Sequence, residues 1–200
     1  MKKLVLASGN QAKLRELSSL LKALDYQLYP QADFDVPEVS ETGTTFVENA
    51  IIKARNAARH TGLTALADDS GILVDALDGA PGVCSARFAG AHATDDSNNA
   101  LLVEKLRAIP AEQRTARYHA VIVYMRHAGD PSPIICEGSW KGMIQLEPMG
   151  KGGFGYDAYF YLPDLGCTSA ELSAKEKNKI SHRGQALRQL RDRLASPHTT

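Results

Sequence analysis

Ala116-Arg117-Tyr118-His119-Ala120-Val121-Ile122-Val123-Tyr124-Met125-Arg126 is the stretch on which the fold class turns. Its Val121-Ile122-Val123-Tyr124 run favours strand over helix. The turn formers Gly129-Asp130-Pro131 follow, and residues 134–144 read as a second long strand. Two long strands joined by a short turn pair antiparallel, which argues against a purely parallel sheet.

Outward from that pair, the N-terminal half alternates strand and helix. Leu4-Val5-Leu6-Ala7 fits a buried strand, and Gly9-Asn10 turns the chain. Leu14, Leu17, Leu21 and Leu24 then recur at helical spacing, and residues 26–29 read as a second strand. An acidic loop, 33–41, is broken by Pro37. Thr45-Phe46-Val47-Glu48 has the form of a capping box, and Gly62 suits the end of the helix it opens. Residues 63–67 and 71–77 read as strand around the polar centre Asp68-Asp69-Ser70. A loop over 78–93 leads to a third helix, which opens near Thr94-Asp95-Asp96 and stops before Pro110.

On the C-terminal side, 147–156 is a glycine-dense loop followed by a short strand over 158–162. Thr168-Ser169-Ala170-Glu171 forms another capping box. The last helix runs from about Ser181 through Leu187, Leu190 and Leu194. With no repeat and no linker, the reading is α/β with a mixed sheet.

The chain has 200 residues, enough to bury a core without disulfides or a structural metal. Lys+Arg and Asp+Glu both total 23, so there is no net field to hold nucleic acid or a membrane surface. Any anion must therefore meet a local cation cluster. Cys84, Cys136 and Cys167 are odd in number and lack a CxxC pair. They read as reduced thiols rather than a disulfide framework or zinc site. The apolar run after Met1-Lys2-Lys3 is too short for a signal peptide, and no stretch approaches membrane-spanning length. A soluble, cytoplasmic protein is expected.

Four segments carry possible chemistry. Ser8-Gly9-Asn10-Gln11-Ala12-Lys13 opens a helix with a glycine turn, which suits a phosphate; it also reads as a plain strand-to-helix turn with a solvated lysine. Neither GxxxxGK[ST] nor GxGxxG is present. Asp68-Asp69-Ser70-Gly71 places two carboxylates in an apolar setting, where they need a cation or hydrogen bonds. On a strand they face opposite ways, so a hard ion would take one of them plus a carboxylate such as Glu41. The alternative there is a turn at a strand end. Gly152-Gly153-Phe154-Gly155-Tyr156-Asp157 offers close backbone approach, two stacking rings and an acceptor, or else a flexible hairpin loop. The polar run 175–183 ends in Ser181-His182-Arg183, where cations at a helix start oppose its dipole unless an anion or carbonyl binds there. A solvated charged face is the alternative. Trp140 reads as core.

Taken in order, these segments resemble the inosine triphosphate pyrophosphatase family, the deaminated-purine nucleoside triphosphate pyrophosphatases, and most of all its bacterial branch. The pieces are Ser8-Gly9-Asn10-x-x-Lys13, Glu41-Thr42-Gly43, Glu48-Asn49-Ala50 and Ala67-Asp68-Asp69-Ser70-Gly71. Pro81-Gly82, Ser85-Ala86-Arg87, Gly152 to Asp157 and Ser181-His182-Arg183 follow.

The resemblance implies an α/β fold with a central elongated mixed sheet flanked by helices, in two lobes with a substrate cleft between them. One domain would cover residues 1–195, with 196–200 a short disordered tail. It implies a homodimer and Mg²⁺-dependent hydrolysis of ITP, dITP and XTP to the monophosphate and pyrophosphate, which keeps those nucleotides out of DNA and RNA. By the same resemblance, Ser8, Gly9, Asn10, Gln11, Ala12, Lys13 and Lys53 would handle the triphosphate. Glu41 and Asp69 would serve the metal, Asp69 would also be the general base, and Ser70 would follow it in the substrate site. Phe154 would stack on the base, with Gly155, Tyr156 and Asp157 continuing that loop. Lys177, His182 and Arg183 would meet the purine edge. Position 8 is Ser where Thr is common, and 156 is Tyr where some members carry Trp. Two other functions fit the same residues: a pyrophosphatase for modified pyrimidine nucleotides, and a nucleotide sensor without hydrolysis.

Overall fold

The computed structural model describes residues 2–21 and 26–195. Strands are β1 (Lys2–Leu6), β2 (Tyr26–Pro30), β3 (Thr64–Val74), β4 (Thr115–Met125), β5 (Ile134–Ile144), β6 (Phe160–Leu162) and β7 (Cys167–Thr168). Helices are α1 (Gln11–Leu21), α2 (Phe46–Thr61), α3 (Asp95–Leu106), α4 (Ala174–Ile180) and α5 (His182–Ala195). The strands form one seven-stranded sheet in the order β2-β1-β3-β4-β5-β6-β7. It is mixed: β1 runs parallel to β2 and β3, whereas β6 is antiparallel to β5 and β7. The α/β class expected from the sequence is the one observed. Leu24 and residues 196–200 lie outside the described residues.

Flanked on both sides by parallel neighbours, β1 buries Leu4, Val5 and Leu6 completely. That is why it reads as an unbroken apolar run and not as an alternation. The pattern in β5 is the opposite. Cys136, Gly138 and Trp140 are buried while Glu137, Ser139 and Lys141 are exposed, the period-two signature of a sheet with one wet face. Between β4 and β5, Asp130 accepts from the Arg126 guanidinium at 2.7 and 2.9 Å and from the Arg126 and Ser132 N–H groups. These hydrogen bonds, Arg126 foremost, hold the Asp130 carboxyl well below the usual carboxylate range. They also set the turn that the Gly-Asp-Pro signal anticipated.

The capping box of α2 forms as read. Thr45 Oγ1 accepts from the Glu48 N–H at 3.3 Å, and Glu48 Oε2 accepts from the Thr45 N–H at 2.9 Å. Such a cap is worth about 1 kcal/mol. Gly62 ends the helix at φ +66°, a conformation that glycine adopts without strain. Ala50, Ala54, Ala57 and Ala58 line its buried face, and their short side chains permit close approach to the sheet.

By contact, the chain divides into two compact units. The first comprises Met1–Asp69, Ala120–Gly138 and Arg183–Thr200; the second comprises Ser70–His119 and Ser139–His182. Each has its own core. Leu4, Leu6, Leu17, Leu66, Ile122, Leu187 and Leu190 centre the first. Ile72, Leu102, Leu106, Trp140, Ile144 and Phe160 centre the second. Each fully buried side chain of this size contributes roughly 1.5–3 kcal/mol.

Three elements differ from the sequence reading. The strand read over 63–67 and 71–77 around a polar centre is continuous through Asp68-Asp69-Ser70 as β3, and it stops at Val74, with Asp75–Leu77 a 3₁₀ turn. The two-residue β7 and the seven-residue α4 were not anticipated. Neither is long enough to show a period, and α4 is polar along most of its length.

Candidate active site

The first unit assembles a network of opposite charges around the two aspartates of β3. Asp68 is 1% exposed and Asp69 7%. As strand geometry requires, they take different partners. Asp68 Oδ2 lies 2.8 Å from Lys13 Nζ, and its Oδ1 lies 3.3 Å from Arg183 Nε. Arg183 in turn pairs with Glu16 on α1. Burial opposes ionisation of Asp68, but the Arg183 and Lys13 cations outweigh it and hold the carboxyl well below the usual range. The same pairing holds Arg183 firmly protonated despite its burial.

Asp69 faces Lys53. Lys53 Nζ donates to Asp69 Oδ1 at 2.6 Å and to the Asp68 carbonyl at 3.1 Å, and lies 3.2 Å from Glu41 Oε1. Burial raises the Asp69 pKa, Lys53 and Lys13 act against that, and Glu41 adds to it; the net direction is upward. Burial would lower Lys53, yet Asp69 and Glu41 carry it above its ordinary value. Asp69 Oδ2 is buried with no hydrogen-bond partner among the described residues.

Glu41 reaches Lys53 from a loop that α2 pins down. Asn49 Oδ1 accepts from the Gly43 N–H at 2.8 Å, and Asn49 Nδ2 donates to the Gly43 carbonyl at 3.3 Å. A Cβ at position 43 would come within 2.5 Å of Glu48 Cβ and 2.7 Å of Asn49 Oδ1. Only glycine fits that approach. Glu41-Thr42-Gly43 and Glu48-Asn49-Ala50 are therefore one device: cap, pin and packing residue.

At the start of α1, Ser8 Oγ accepts from the Asn10 N–H at 3.1 Å and Asn10 Oδ1 accepts from the Lys13 N–H at 3.1 Å. These bonds make Asn10 the helix cap. They also occupy two of the donors that a phosphate reading of this turn would recruit. Gly9 precedes the helix, and Gln11 and Ala12 are its first two residues. Ser70 follows Asp69 in β3 and is half-buried.

The second unit builds a separate cluster around the glycine-dense loop. Asp157 is 3% exposed, and both of its oxygens are engaged. Oδ2 accepts from Lys177 Nζ at 2.6 Å and from the Phe154 N–H at 2.9 Å; Oδ1 accepts from Ser169 Oγ at 2.7 Å. A Cβ on Gly153 would fall 2.0 Å from Asp157 Oδ2, so the loop closes this tightly only with glycine there. Lys177 Nζ also stands 5.2 Å from the Phe154 ring centroid, in cation–π range. Tyr156 is buried, and its hydroxyl donates to the Ser85 carbonyl at 2.7 Å. Burial, with Asp95 nearby, raises the pKa of that phenol. His182 is 4% exposed and stacks on Tyr118, with centroids 4.7 Å apart and planes 9° apart; Trp140 lies 6.4 Å away. Trp140 is core, as read, and also flanks this imidazole.

In the first unit, then, the structure brings Lys13, Glu41, Lys53, Asp68, Asp69 and Arg183 into one ion-pair network. In the second it brings Phe154, Asp157 and Lys177 together. Sequence reasoning missed Glu16, Asn49 as a pin, Ser169, and the aromatic stack on His182. Glu16 had one signal, its position one turn beyond Lys13 on the same helix. The hydrophobic part of the His182 environment had none, because Tyr118, Trp140 and His182 are far apart in the chain.

A family model described as the Ham1 family matches residues 4–193. The chain belongs to the Ham1 family. Among similar proteins, one from Thioalkalivibrio sulfidiphilus is 58% identical over 192 residues, covering 96% of this chain and 98% of its own. One from Shigella flexneri is 56% identical over 194 residues, covering 97% and 98%. Both bear the name dITP/XTP pyrophosphatase. Among solved structures, a HAM1 protein from Coxiella burnetii superposes with a TM-score of 0.90 at 54% identity, covering 97% of this chain and 98% of that one. The Ham1 protein of Staphylococcus aureus gives 0.85 at 38% identity, covering 96% and 98%. The family resemblance read from the ordered motifs is thus shown.

Proposed function

We propose that the protein hydrolyses deaminated purine nucleoside triphosphates, ITP, dITP and XTP, to the monophosphate and pyrophosphate. The observation that carries this reading is the Asp69 carboxylate. One of its oxygens is held by Lys53 at 2.6 Å and the other is buried without a hydrogen-bond partner among the described residues. A carboxylate with a raised pKa, fixed through one oxygen, is suited to accept a proton through the other. The names borne by relatives more than half identical support the substrate class.

In the proposed reaction a water oxygen bonds to the α-phosphorus and the α–β bridging P–O bond breaks. Asp69 takes the water's proton, and pyrophosphate leaves with the bridging oxygen. Lys13 and Lys53 neutralise charge as it develops on the phosphates. Asp68 orients Lys13, and Asn10 fixes the turn from which Lys13 springs. Ser8, Gly9, Gln11, Ala12 and Ser70 complete the phosphate-side set in this reading.

The Asp69 and Glu41 carboxylates face the same ammonium and offer the hard-oxygen chemistry that suits Mg²⁺: Glu41 would hold the ion, and Asp69 would meet it through one of the ion's waters, which leaves Oδ2 for the proton. Among the described residues no group of three or more His, Cys, Asp or Glu forms a fuller cage. That fits an ion that keeps waters and substrate oxygens as most of its ligands. When bound there, Mg²⁺ would neutralise phosphate charge and acidify a water.

For the base, Phe154 supplies a stacking face, and His182, Lys177 and Arg183 are donors for the 6-oxo group of hypoxanthine or xanthine. Adenine presents a 6-amino donor instead and would leave such donors unpaired, a mismatch worth about 10⁴ in discrimination. Gly155, Tyr156 and Asp157 shape the loop that carries the ring. The same reading includes a cytoplasmic homodimer with no nucleic-acid or membrane partner. Among the described residues no helix is long and apolar enough to cross a membrane.

Pyrophosphate and orthophosphate release from ITP, XTP, dITP, ATP and GTP, with Mg²⁺ and with EDTA, tests the proposal. Pyrophosphate from the first three alone, and only with metal, is expected. Orthophosphate, equal turnover of ATP, or binding of ITP without hydrolysis would overturn it.

A further inference from the structure

The first turns of α3 hold the loop that carries Phe154 by both ends of one residue. Asp95 Oδ2 accepts from the Gly155 N–H at 2.7 Å, and Asn99 Nδ2 donates to the Gly155 carbonyl at 2.9 Å. Gly155 itself sits at φ +62°, where L side chains are strained. Its peptide groups are therefore fixed from outside the loop, independently of the bonds that Asp157 makes within it.

Asn99 is costly where it stands. It is 7% exposed on the helix face that also buries Leu102 and Leu106, and its Oδ1 is buried without a hydrogen-bond partner among the described residues. An apolar residue would avoid that unsatisfied oxygen. What the Asn99 side chain supplies, among the described residues, is the hydrogen bond to Gly155. The residue before it, Asn98, works in the same way on a neighbouring loop: its Oδ1 accepts from the Ala89 N–H at 2.8 Å and its Nδ2 donates to the Ala86 carbonyl at 3.2 Å. That second loop carries Ser85, whose carbonyl receives the Tyr156 hydroxyl. Consecutive buried asparagines on α3 thus hold Gly155 directly and steady the loop that receives the Tyr156 hydroxyl.

We propose that Asp95 and Asn99 are positioning residues for the base platform, setting the plane of the Phe154 ring through the Gly155 peptide. This inference rests on the purine triphosphate reading above. Since neither residue belongs to the Asp69 network, their loss should weaken nucleotide binding and spare the chemical step.

The test is steady-state kinetics on ITP for the purified full chain. Asn99→Ala and Asp95→Ala should each raise KM by roughly ten-fold while kcat stays within about three-fold. Asp95→Asn, which keeps an acceptor oxygen, should recover most of the loss. Because both act on one residue, the double variant should fall short of the product of the two single effects. Thr94→Ala removes the α3 cap, which Thr94 Oγ1 makes to the Ser97 N–H at 3.2 Å, and leaves both Gly155 bonds untouched. It should lower the melting temperature yet hold KM within about two-fold. An unchanged KM in Asn99→Ala, fully multiplicative single effects, or an equal KM rise in Thr94→Ala would overturn the assignment. If the wild-type protein releases no pyrophosphate from ITP, it is the functional reading that fails.

Discussion

Lys53 Nζ lies 2.6 Å from Asp69 Oδ1, yet Asp69 is harder to ionise than an ordinary carboxylate. Burial and the Glu41 charge outweigh the attraction of the two lysines. The pair therefore does not behave as a simple stabilising salt bridge. It is an arrangement in which a base is kept somewhat protonatable, at some cost in stability.

This makes activity and stability move in opposite directions. Asp69→Asn should cut pyrophosphate release by about 10²-fold or more. In the wild type, kcat/KM should rise with pH through the Asp69 ionisation, with that acid limb shifted upward from the ordinary aspartate value. Lys53→Met should move the limb higher still. A folded-state pKa raised above the unfolded value contributes stability below the unfolded pKa that is lost as pH rises through the folded one. Asp69→Asn should accordingly match or exceed the wild type in urea midpoint at pH 7–8 (about the assay range). A midpoint well below wild type would contradict this account.

Asp68 carries the opposite sign. Its folded pKa is depressed by Arg183 and Lys13, so its contribution to stability is present above the unfolded carboxylate pKa and lost as pH falls through the folded one. Asp68→Asn leaves a buried guanidinium short of one partner. It should destabilise the protein at neutral pH by about 3–5 kcal/mol. The gap to wild type should narrow as urea titrations are taken down below the usual carboxylate range. A constant gap across pH would point to packing and away from charge.

Glu41 is placed by the Gly43–Asn49 clasp, so metal demand should respond to both. Glu41→Gln should raise the Mg²⁺ concentration for half-maximal activity by roughly ten-fold. Gly43→Ala forces a Cβ against Glu48 and Asn49 and should raise the same quantity, with helix content by circular dichroism kept. If Mg²⁺ dependence is unaltered in both, Glu41 has no part in holding the ion.

Much of the fold was legible because its signals are local. The α2 capping box and Gly62, the β4–β5 turn and the apolar β1 are each written within a few consecutive residues, and each forms as read. The continuous β3 was not legible, because two adjacent aspartates argue against strand interior until their partners are known. α4 was hidden for a related reason: its buried residue is Lys177, which enters the interior only because Asp157 is there to receive it.

The sequence by itself determined which residue types stand where along the chain, and so the family, the glycines and the order of acids and cations. The tertiary structure decided which acid meets which cation. Arg183 came to Asp68 and Glu16, Lys53 to Asp69 and Glu41, and Lys177 to Asp157. No spacing rule could assign those pairs, because the energy of a buried charge depends on its distance to the opposite charge and on the water removed from both. Those are properties of places in space, and they shift Asp68 and Asp69, neighbours in sequence, in opposite directions from the ordinary aspartate value.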